Sequence, residues 1–202
     1  MSSLPPFAAV VLAGGRAARL GGQPKPQLDV GGRSMLATAL AALDGAGPRV
    51  VVGPPQPVPG GVLLVREEPP GGGPVPALVA GLAAVGDAEV VAVLAADLPF
   101  VTAALVTALR ERLTGDGVLV VDDAGRDQLL LGVWRTSVLR AATADARPHM
   151  PLRAVLSPLA VRRYRPPTVP GRPAPWTDCD TPAELARARA SAGDRLLDRP
   201  PG

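Results

Sequence analysis

The segment VVLAGGRAARLGGQPKP, residues 10–26, ends a strand-like run and opens a cationic loop rich in glycine. Its apolar start is typical of a buried β-strand, and the glycines that follow predict a turn. A glycine-rich turn after a strand exposes backbone N–H groups, which together favour a bound anion. Arg16, Arg19 and Lys25 add positive charge that suits a triphosphate. The alternative for this segment alone is a flexible surface loop with solvated cations.

The rest of the chain alternates strand-like and helix-like runs. Short apolar runs such as RVVVGPP and EVVAVLAAD alternate with Ala/Leu-rich stretches such as SMLATALAALDGAG and TAALVTALRERLTGDG. Continuous apolar strands are expected where helices cover both faces of a parallel sheet. We therefore predict an α/β fold, with a three-layer, Rossmann-like, mostly parallel sheet.

A single domain is expected over residues 6–192, followed by a C-terminal tail at 193–202. The chain has 202 residues, of which 47% are hydrophobic, and this suits one core. The proline- and glycine-rich segments at 53–61 and 68–76 lie between predicted elements and are interpreted as loops. Thr181 is predicted to cap the last helix, with Pro182 at its first position and Glu184 completing a capping box.

Composition and charge narrow the possible partners. The net charge is +3, and the basic residues are scattered rather than clustered, so no nucleic-acid partner is expected. The single cysteine, Cys179, excludes an internal disulfide, and the N-terminus does not resemble a signal peptide; both favour the cytoplasm. The apolar stretch 90–109 contains Asp97 and Pro99 at its middle, so we predict a strand, a loop and a helix rather than a membrane span.

Asp97 is the first acidic candidate. It ends EVVAVLAAD, and ligands of open α/β sheets bind beyond the carboxyl ends of the strands. A carboxylate there is placed to hold Mg²⁺ that bridges nucleotide phosphates. The alternative for Asp97 is an ordinary helix N-cap or turn residue.

The opening segment, continued as VVLAGGRAARLGGQPKPQLDVGGRSMLATAL, resembles the signature of the MobA-like nucleotidyltransferases, and most of all the molybdenum cofactor guanylyltransferases among them. The shared pattern is a strand, L-A-G-G, arginine, an apolar residue, glycine, lysine, and a glycine-rich turn before a helix. The resemblance implies that base and ribose lie along Leu12, Ala13, Gly14 and Gly15. It also implies that Arg16 belongs to the nucleotide site, and that Arg19 and Lys25 neutralise the phosphates and are catalytic.

Two acidic segments match the same family in the same order. The sequence DLP resembles the family's D-x-P metal motif, which implies a nucleotide-binding, metal-binding and catalytic role for Asp97. The sequence WTDCDTPAEL resembles a late D-x-D-T-P-E-D-L segment. This implies that Asp178 and Asp180 contact the acceptor and that Asp180 also binds the metal. Simple helix capping by Asp180 and Thr181 is the alternative.

A third segment, REEPPGGGPVPALVAGLAAV, resembles the family's loop and helix that close over the base. The resemblance implies nucleotide contacts by Gly73 and Pro74. An acid here suits guanine, whose edge offers two hydrogen-bond donors. Glu68 is assigned to the predicted nucleotide site, and Glu67 is the alternative.

The chain departs from the family pattern at two places. Pro24 stands where the family has an aspartate before its lysine, which removes a predicted partner for Lys25 or Arg19. The late D-C-D-T-P is closer to the cytidylyl and other branches, whereas L-A-G-G and G-G-G-P favour the guanylyl branch.

The resemblance implies Mg²⁺-dependent transfer of GMP from GTP to the phosphate of molybdopterin or molybdenum cofactor, with release of pyrophosphate. Other proteins of molybdenum cofactor biosynthesis are the implied partners. One alternative is a cytidylyltransferase or another nucleotidyltransferase acting on a related cofactor or phosphorylated metabolite. Another, suggested by Pro24, is a catalytically poor nucleotide-binding module.

The remaining candidates for chemistry have plain structural interpretations. His149, the sole histidine, is predicted to lie in a loop, and Cys179 to be a small buried residue. Trp134 and Trp176 are predicted to pack in the core. Arg153 could touch an anionic acceptor, but a solvated helix face is the simpler prediction.

Overall fold

The main strands and helices follow one another in the order that the sequence predicts, and a short hairpin that the sequence did not predict lies within the first loop. The computed structural model describes residues 4–14, 19–20 and 23–197, and at 19–20 and 194–197 it describes the backbone alone. The strands are β1 (Ala8–Leu12), β2 (Arg19–Leu20), β3 (Gln23–Pro24), β4 (Arg49–Val52), β5 (Val62–Val65), β6 (Val90–Ala95), β7 (Gly117–Val121), β8 (Asp127–Arg135) and β9 (Val161–Tyr164). The helices are α1 (Met35–Ala42), α2 (Pro74–Ala84), α3 (Ala103–Glu111), α4 (Thr136–Ala142), α5 (Leu152–Leu156) and α6 (Pro182–Leu197).

Within the described residues, seven strands pair into one sheet in the order β5-β4-β1-β6-β8-β7-β9. The neighbours among β5, β4, β1 and β6 are parallel, as are β7 and β9, whereas β8 is antiparallel to both β6 and β7. The connection from β7 to β8 covers only residues 122–126, which is too short for the crossover that parallel neighbours need. The predicted α/β fold with a mostly parallel sheet is confirmed.

Helices cover both faces of this sheet. The five residues of β1 are all buried, which explains the continuous apolar pattern of that strand. Val11 belongs to a hydrophobic cluster that includes Leu40 of α1 and Leu109 of α3. Val10, on the opposite face, belongs to a second cluster that includes residues of α2, α4 and α5, among them Leu78. The sheet is therefore the middle of three layers.

The apolar stretch 90–109 divides as predicted. It forms β6, a connection that contains Asp97 and Pro99, and most of α3. Of the helices in the described part of the chain, none combines the length and the hydrophobicity that crossing a bilayer requires.

A third hydrophobic cluster packs α6 against the chain that follows the first loop. Its members are Leu28, Val30, Met35, Phe100, Cys179, Leu185, Ala188 and Ala192. The cluster holds the segment 178–180 beside the 3-10 turn Lys25–Gln27. The tail predicted from residue 193 stays a prediction, but helix α6 continues to Leu197, so residues 193–197 are helical. The reason is that this part of the chain contains helix-forming Arg and Leu and no proline before Pro200.

Gly81 on α2 is expected to reject a methyl group. A Cβ at this position would lie 2.5 Å from Val10 Cγ1, in the fully buried core between α2 and β1. An alanine gains about 1 kcal/mol of helix propensity over glycine, but overpacking a core costs about 1–3 kcal/mol. We therefore expect Gly81→Ala to lower the thermal midpoint by a few degrees.

Gly193 on α6 is the matched control for that substitution. Among the described residues, no atom beyond its own stretch of helix lies within 4 Å of a Cβ built there, so Gly193→Ala should raise the midpoint or leave it unchanged. Thermal unfolding followed by circular dichroism compares the two variants. Equal shifts in both would show that the α2–β1 contact is not tightly packed.

Candidate active site

The candidate site lies at the carboxyl ends of β1 and β6, which are neighbours in the sheet. The strands pair with Leu12 opposite Ala95, and the Ala96 amide donates to the Leu12 carbonyl oxygen at 3.0 Å. The first loop and Asp97 therefore leave the sheet side by side. Ala13 is buried and Gly14 is exposed at this edge, where ligands of open α/β sheets bind.

Lys25 is at the centre of the site. It begins the 3-10 turn, between Pro24 and Pro26, and is only 5% exposed. Its Nζ donates to Asp97 Oδ2 at 2.6 Å and to Asp180 Oδ1 at 2.5 Å. Burial by itself would lower the pKa of Lys25, but the hydrogen bonds and charges of Asp180 and Asp97 outweigh it and raise the pKa above its usual value. One ammonium group thus joins three separate parts of the sequence.

Asp97 and Asp180 are not the residues that cap α3 and α6, the helices that follow them. Thr181 and Glu184 form the predicted capping box of α6, because the Thr181 amide donates to Glu184 Oε2 at 2.8 Å and the Glu184 amide donates to Thr181 Oγ1 at 3.2 Å. Helix α3 begins after Thr102, whose Oγ1 accepts from the Leu105 amide at 3.2 Å. Both aspartates therefore direct a carboxylate oxygen to Lys25 while Thr102 and Thr181 do the capping.

Pro24 does not leave Lys25 without an acidic partner. The sequence predicted such a loss because the family aspartate is missing at position 24. In the structure the two carboxylates of Asp97 and Asp180 supply the contacts instead. The site therefore keeps a paired lysine despite the substitution.

The arginines of the first loop are only partly described. Gly15 and Arg16 lie outside the described residues. The backbone of Arg19 forms β2 and pairs with Pro24 in β3, so the chain returns in a short hairpin to the start of the 3-10 turn. The roles predicted for Gly15, Arg16 and Arg19 remain predictions.

The glycine-rich loop before α2 is fixed from two sides. Glu67 is 9% exposed, and its Oε1 accepts from the Gly71 amide at 2.9 Å. The His149 amide donates to the Gly72 carbonyl oxygen at 2.6 Å. Gly73 caps α2 with a φ of 97°, which favours glycine. Because Glu67 is used within the loop and Glu68 is exposed, Glu68 is the better placed of the two for an outside ligand.

Asp178 and Cys179 lie beside Asp180 in the sequence, and both have raised pKa values. Partial burial and the charges of Asp180 and Asp97 raise the pKa of Asp178. Cys179 is fully buried in the third cluster, and burial raises the pKa of its thiol to about 11. The thiol therefore stays protonated near neutral pH, and the prediction of a small buried residue is confirmed.

The carboxylates suit a magnesium ion that a nucleotide helps to bind. Mg²⁺ in proteins is typically held by one or two carboxylates, with phosphate oxygens and water completing its coordination. Asp97 and Asp180 direct oxygens to one point. The described residues contain no group of three or more His, Cys, Asp and Glu side chains arranged to hold a metal ion. The donor set therefore fits a metal that brings phosphate ligands with it.

Sequence reasoning missed one contact of the first loop. The loop after β4 packs against it so closely that a Cβ on Gly53 would lie 2.9 Å from the Ala13 carbonyl carbon. In the same loop, Gln56 Oε1 accepts from Gln27 Nε2 at 3.1 Å. The signal available in the sequence was GPPQ directly after a strand, at the edge where ligands bind.

The remaining candidates take the structural roles that the sequence predicts. His149 lies in an exposed loop and has a φ of 63°. Trp134 is 1% exposed in the second cluster, and Trp176 packs against the first cluster. Arg153 is exposed on α5; the hydrogen bond from Arg163 lowers the pKa of Asp127, and the charge of Arg153 adds to that effect.

Comparison with known proteins identifies the family of the chain. Residues 9–164 match the MobA-like NTP transferase domain. The chain belongs to this family and is a nucleotidyltransferase. The alternation of strands and helices described above is thus the fold of a family member.

Named relatives cover most of the chain. It is 31% identical to a molybdenum cofactor guanylyltransferase of Rhodopseudomonas palustris, over 95% of this chain and 97% of the relative. It is 37% identical to a probable molybdenum cofactor guanylyltransferase of Mycobacterium tuberculosis, over 66% and 70%. The fold also matches 2-C-methyl-D-erythritol 4-phosphate cytidylyltransferase of Thermus thermophilus, with a TM-score of 0.68 and 20% identity over 94% and 100% of the two chains.

Proposed function

We propose that the protein transfers GMP from GTP to the terminal phosphate of a molybdopterin-type acceptor, with Mg²⁺ as cofactor and pyrophosphate as the second product. The observation that carries the proposal is the buried Lys25, held by Asp97 and Asp180 at the carboxyl edge of the sheet. The names of the relatives from Rhodopseudomonas and Mycobacterium support the guanylyl donor and the acceptor class. A cytoplasmic location fits the single, buried thiol.

The reaction needs charge neutralisation more than proton transfer. An oxygen of the acceptor phosphate forms a bond to the α-phosphorus of GTP, and the bond from that phosphorus to the bridging oxygen of the β-phosphate breaks. The electron pair leaves with pyrophosphate. Because the attacking oxygen is already an anion, no general base is required. Lys25 and Arg19 bind and orient the phosphates and offset their growing charge.

Asp97 and Asp180 are the residues that would hold Mg²⁺. When bound, the ion supplies positive charge that polarises the phosphoryl oxygens. Asp178 lies two residues before Asp180, and burial together with the charge of Asp180 raises its pKa, so the two carboxylates are close in space. We assign both to the acceptor side of the site.

The proposed nucleotide contacts come from two loops at the same edge. The first is the L-A-G-G turn, with Leu12, Ala13, Gly14 and Gly15, followed by Arg16. The second is the loop before α2, where Gly73 and Pro74 shape the wall. There Glu68 accepts hydrogen bonds from the guanine N1–H and amino group.

A cytidylyl donor is the second candidate. The late D-C-D-T-P segment resembles that branch, and the Thermus cytidylyltransferase shares the fold. The two candidates differ in the base, so the choice of nucleoside triphosphate separates them.

Thermal stability with each of the four nucleoside triphosphates, with and without Mg²⁺, tests the proposal. A ligand at a hundred times its dissociation constant stabilises the fold by about 2.7 kcal/mol, equal to a rise of several degrees. We expect the largest rise with GTP and Mg²⁺ together. A larger rise with CTP would favour the cytidylyl donor. A rise with a nucleotide but no release of pyrophosphate with acceptor present would favour a catalytically poor nucleotide-binding module, and no rise with any of the four would contradict the proposed function.

A further inference from the structure

Lys25 occupies the position at which a metal ion would bridge Asp97 and Asp180. Both carboxylate oxygens contact the same Nζ, at 2.6 and 2.5 Å. Mg²⁺ binds oxygen ligands at about 2.0–2.1 Å, so an ion that bridges these two oxygens would lie almost where Nζ lies. The ammonium and the metal therefore exclude each other, by volume and by repulsion between like charges.

We propose that Lys25 is the resident cation of the metal site and must leave the Asp97–Asp180 position before a metal ion can bridge the two carboxylates. The metal then enters with the nucleotide and not ahead of it. The inference rests on the proposed function in one respect, because the anion that binds Lys25 after it leaves the two carboxylates is the phosphate group of the nucleotide.

The surroundings of Lys25 allow its end to change partners while its start stays fixed. Pro24 and Pro26 flank it, and their rings restrict the backbone on both sides. Its side chain is only 6% exposed, which keeps bulk water from competing for the ammonium group. The side chain of Asp180 is 60% exposed, so an ion or a ligand can approach this carboxylate from the solvent. A short movement of Nζ toward an incoming phosphate would free both aspartates.

This exchange couples the two ligands. Without a nucleotide, the metal must displace a lysine that is ion-paired with both carboxylates, so the affinity of the site for the metal is low. With a nucleotide, the phosphates bind the lysine and the metal together. By linkage, metal and nucleotide each raise the affinity for the other.

Manganese binding in the absence of any nucleotide tests the exchange. Mn²⁺ is the probe, and electron paramagnetic resonance measures its free concentration. We expect Lys25→Met and Lys25→Gln to bind Mn²⁺ at least about tenfold more tightly than the wild type, since each removes the resident charge. Lys25→Arg, which keeps that charge, should bind like the wild type.

Two controls separate this effect from a general change in net charge. Arg172→Gln removes a positive charge from an exposed loop residue and should leave Mn²⁺ affinity unchanged. The double variant Lys25→Met/Asp97→Asn should lose the tenfold gain, because one of the two bridging carboxylates is neutral. A gain that survives in the double variant would contradict the inference.

Folding of the variants is followed by circular dichroism in the same samples. Folded Lys25→Met and Lys25→Gln that bind Mn²⁺ no more tightly than the wild type overturn the inference. If they fold only when Mn²⁺ is added, the metal is replacing the missing lysine and the inference is supported; if Mn²⁺ does not restore folding, it is overturned. The metal-binding assay contains no nucleotide, so its result does not depend on the proposed activity. If the variants bind Mn²⁺ tightly but the wild type does not turn over GTP, the proposed function is refuted and this inference is not.

Discussion

Asp97→Asn is expected to lower the rate of pyrophosphate release by at least about a hundredfold, because losing metal-borne charge stabilisation costs several kcal/mol and each 1.4 kcal/mol is a factor of ten. Asparagine keeps the size of the side chain and an oxygen that can accept the hydrogen bond from Lys25 Nζ, which Asp97 accepts at 2.6 Å. What it loses is the negative charge. We therefore expect the fold to be retained while both activity and its dependence on Mg²⁺ disappear.

The measurement is the initial rate of pyrophosphate release from GTP and acceptor over a range of Mg²⁺ concentrations. Asp87→Asn is the control, since Asp87 is an exposed carboxylate that precedes β6, at the opposite end of the same strand. Its rate should equal that of the wild type. If Asp97→Asn kept an activity that still depended on Mg²⁺, Asp97 would be a turn residue outside the metal site.

Local signals in the sequence were enough to predict the elements and the edge at which the site forms. The fully buried residues of β1 appear in the sequence as an uninterrupted apolar run, and Thr181 and Glu184 appear as a capping box. Both features depend only on residues that are close together in sequence, so they can be recognised without knowing the fold. The position of Asp97 after β6 followed in the same way.

Contacts between distant segments were not predictable in that way. Lys25 and Asp180 are separated by 155 positions, and they meet because the third hydrophobic cluster packs α6 against the chain after the 3-10 turn. Spacing along the sequence carries no signal of that packing; only the family resemblance brought the late acids to the site. The sequence analysis predicted a mostly parallel sheet but did not say which strand is antiparallel, although the short connection from β7 to β8 was visible.

Lys25→Ala is expected to lower kcat/KM for GTP by about a hundredfold or more, because the loss of one preorganised donor at a charged transition state costs about 10²–10³ in rate. The same substitution should change the fold little. It leaves Asp97 and Asp180 without their shared cation, but the side chain of Asp180 is 60% exposed, so water can solvate its charge. In this variant we therefore expect a large fall in turnover with little change in the thermal midpoint.

Lys25→Arg distinguishes the charge at this position from its shape. Arginine keeps the positive charge but places a planar, forked group where a compact ammonium lies within hydrogen-bond distance of two carboxylates. We expect its kcat/KM to fall between those of the wild type and Lys25→Ala. Steady-state rates for the three proteins, with circular dichroism as the check of folding, make the comparison. Near-normal turnover in Lys25→Ala would remove Lys25 from the site. The two carboxylates would then hold it only as a structural ion pair, and Arg19 would be left as the first-loop cation that binds the phosphates in the transition state.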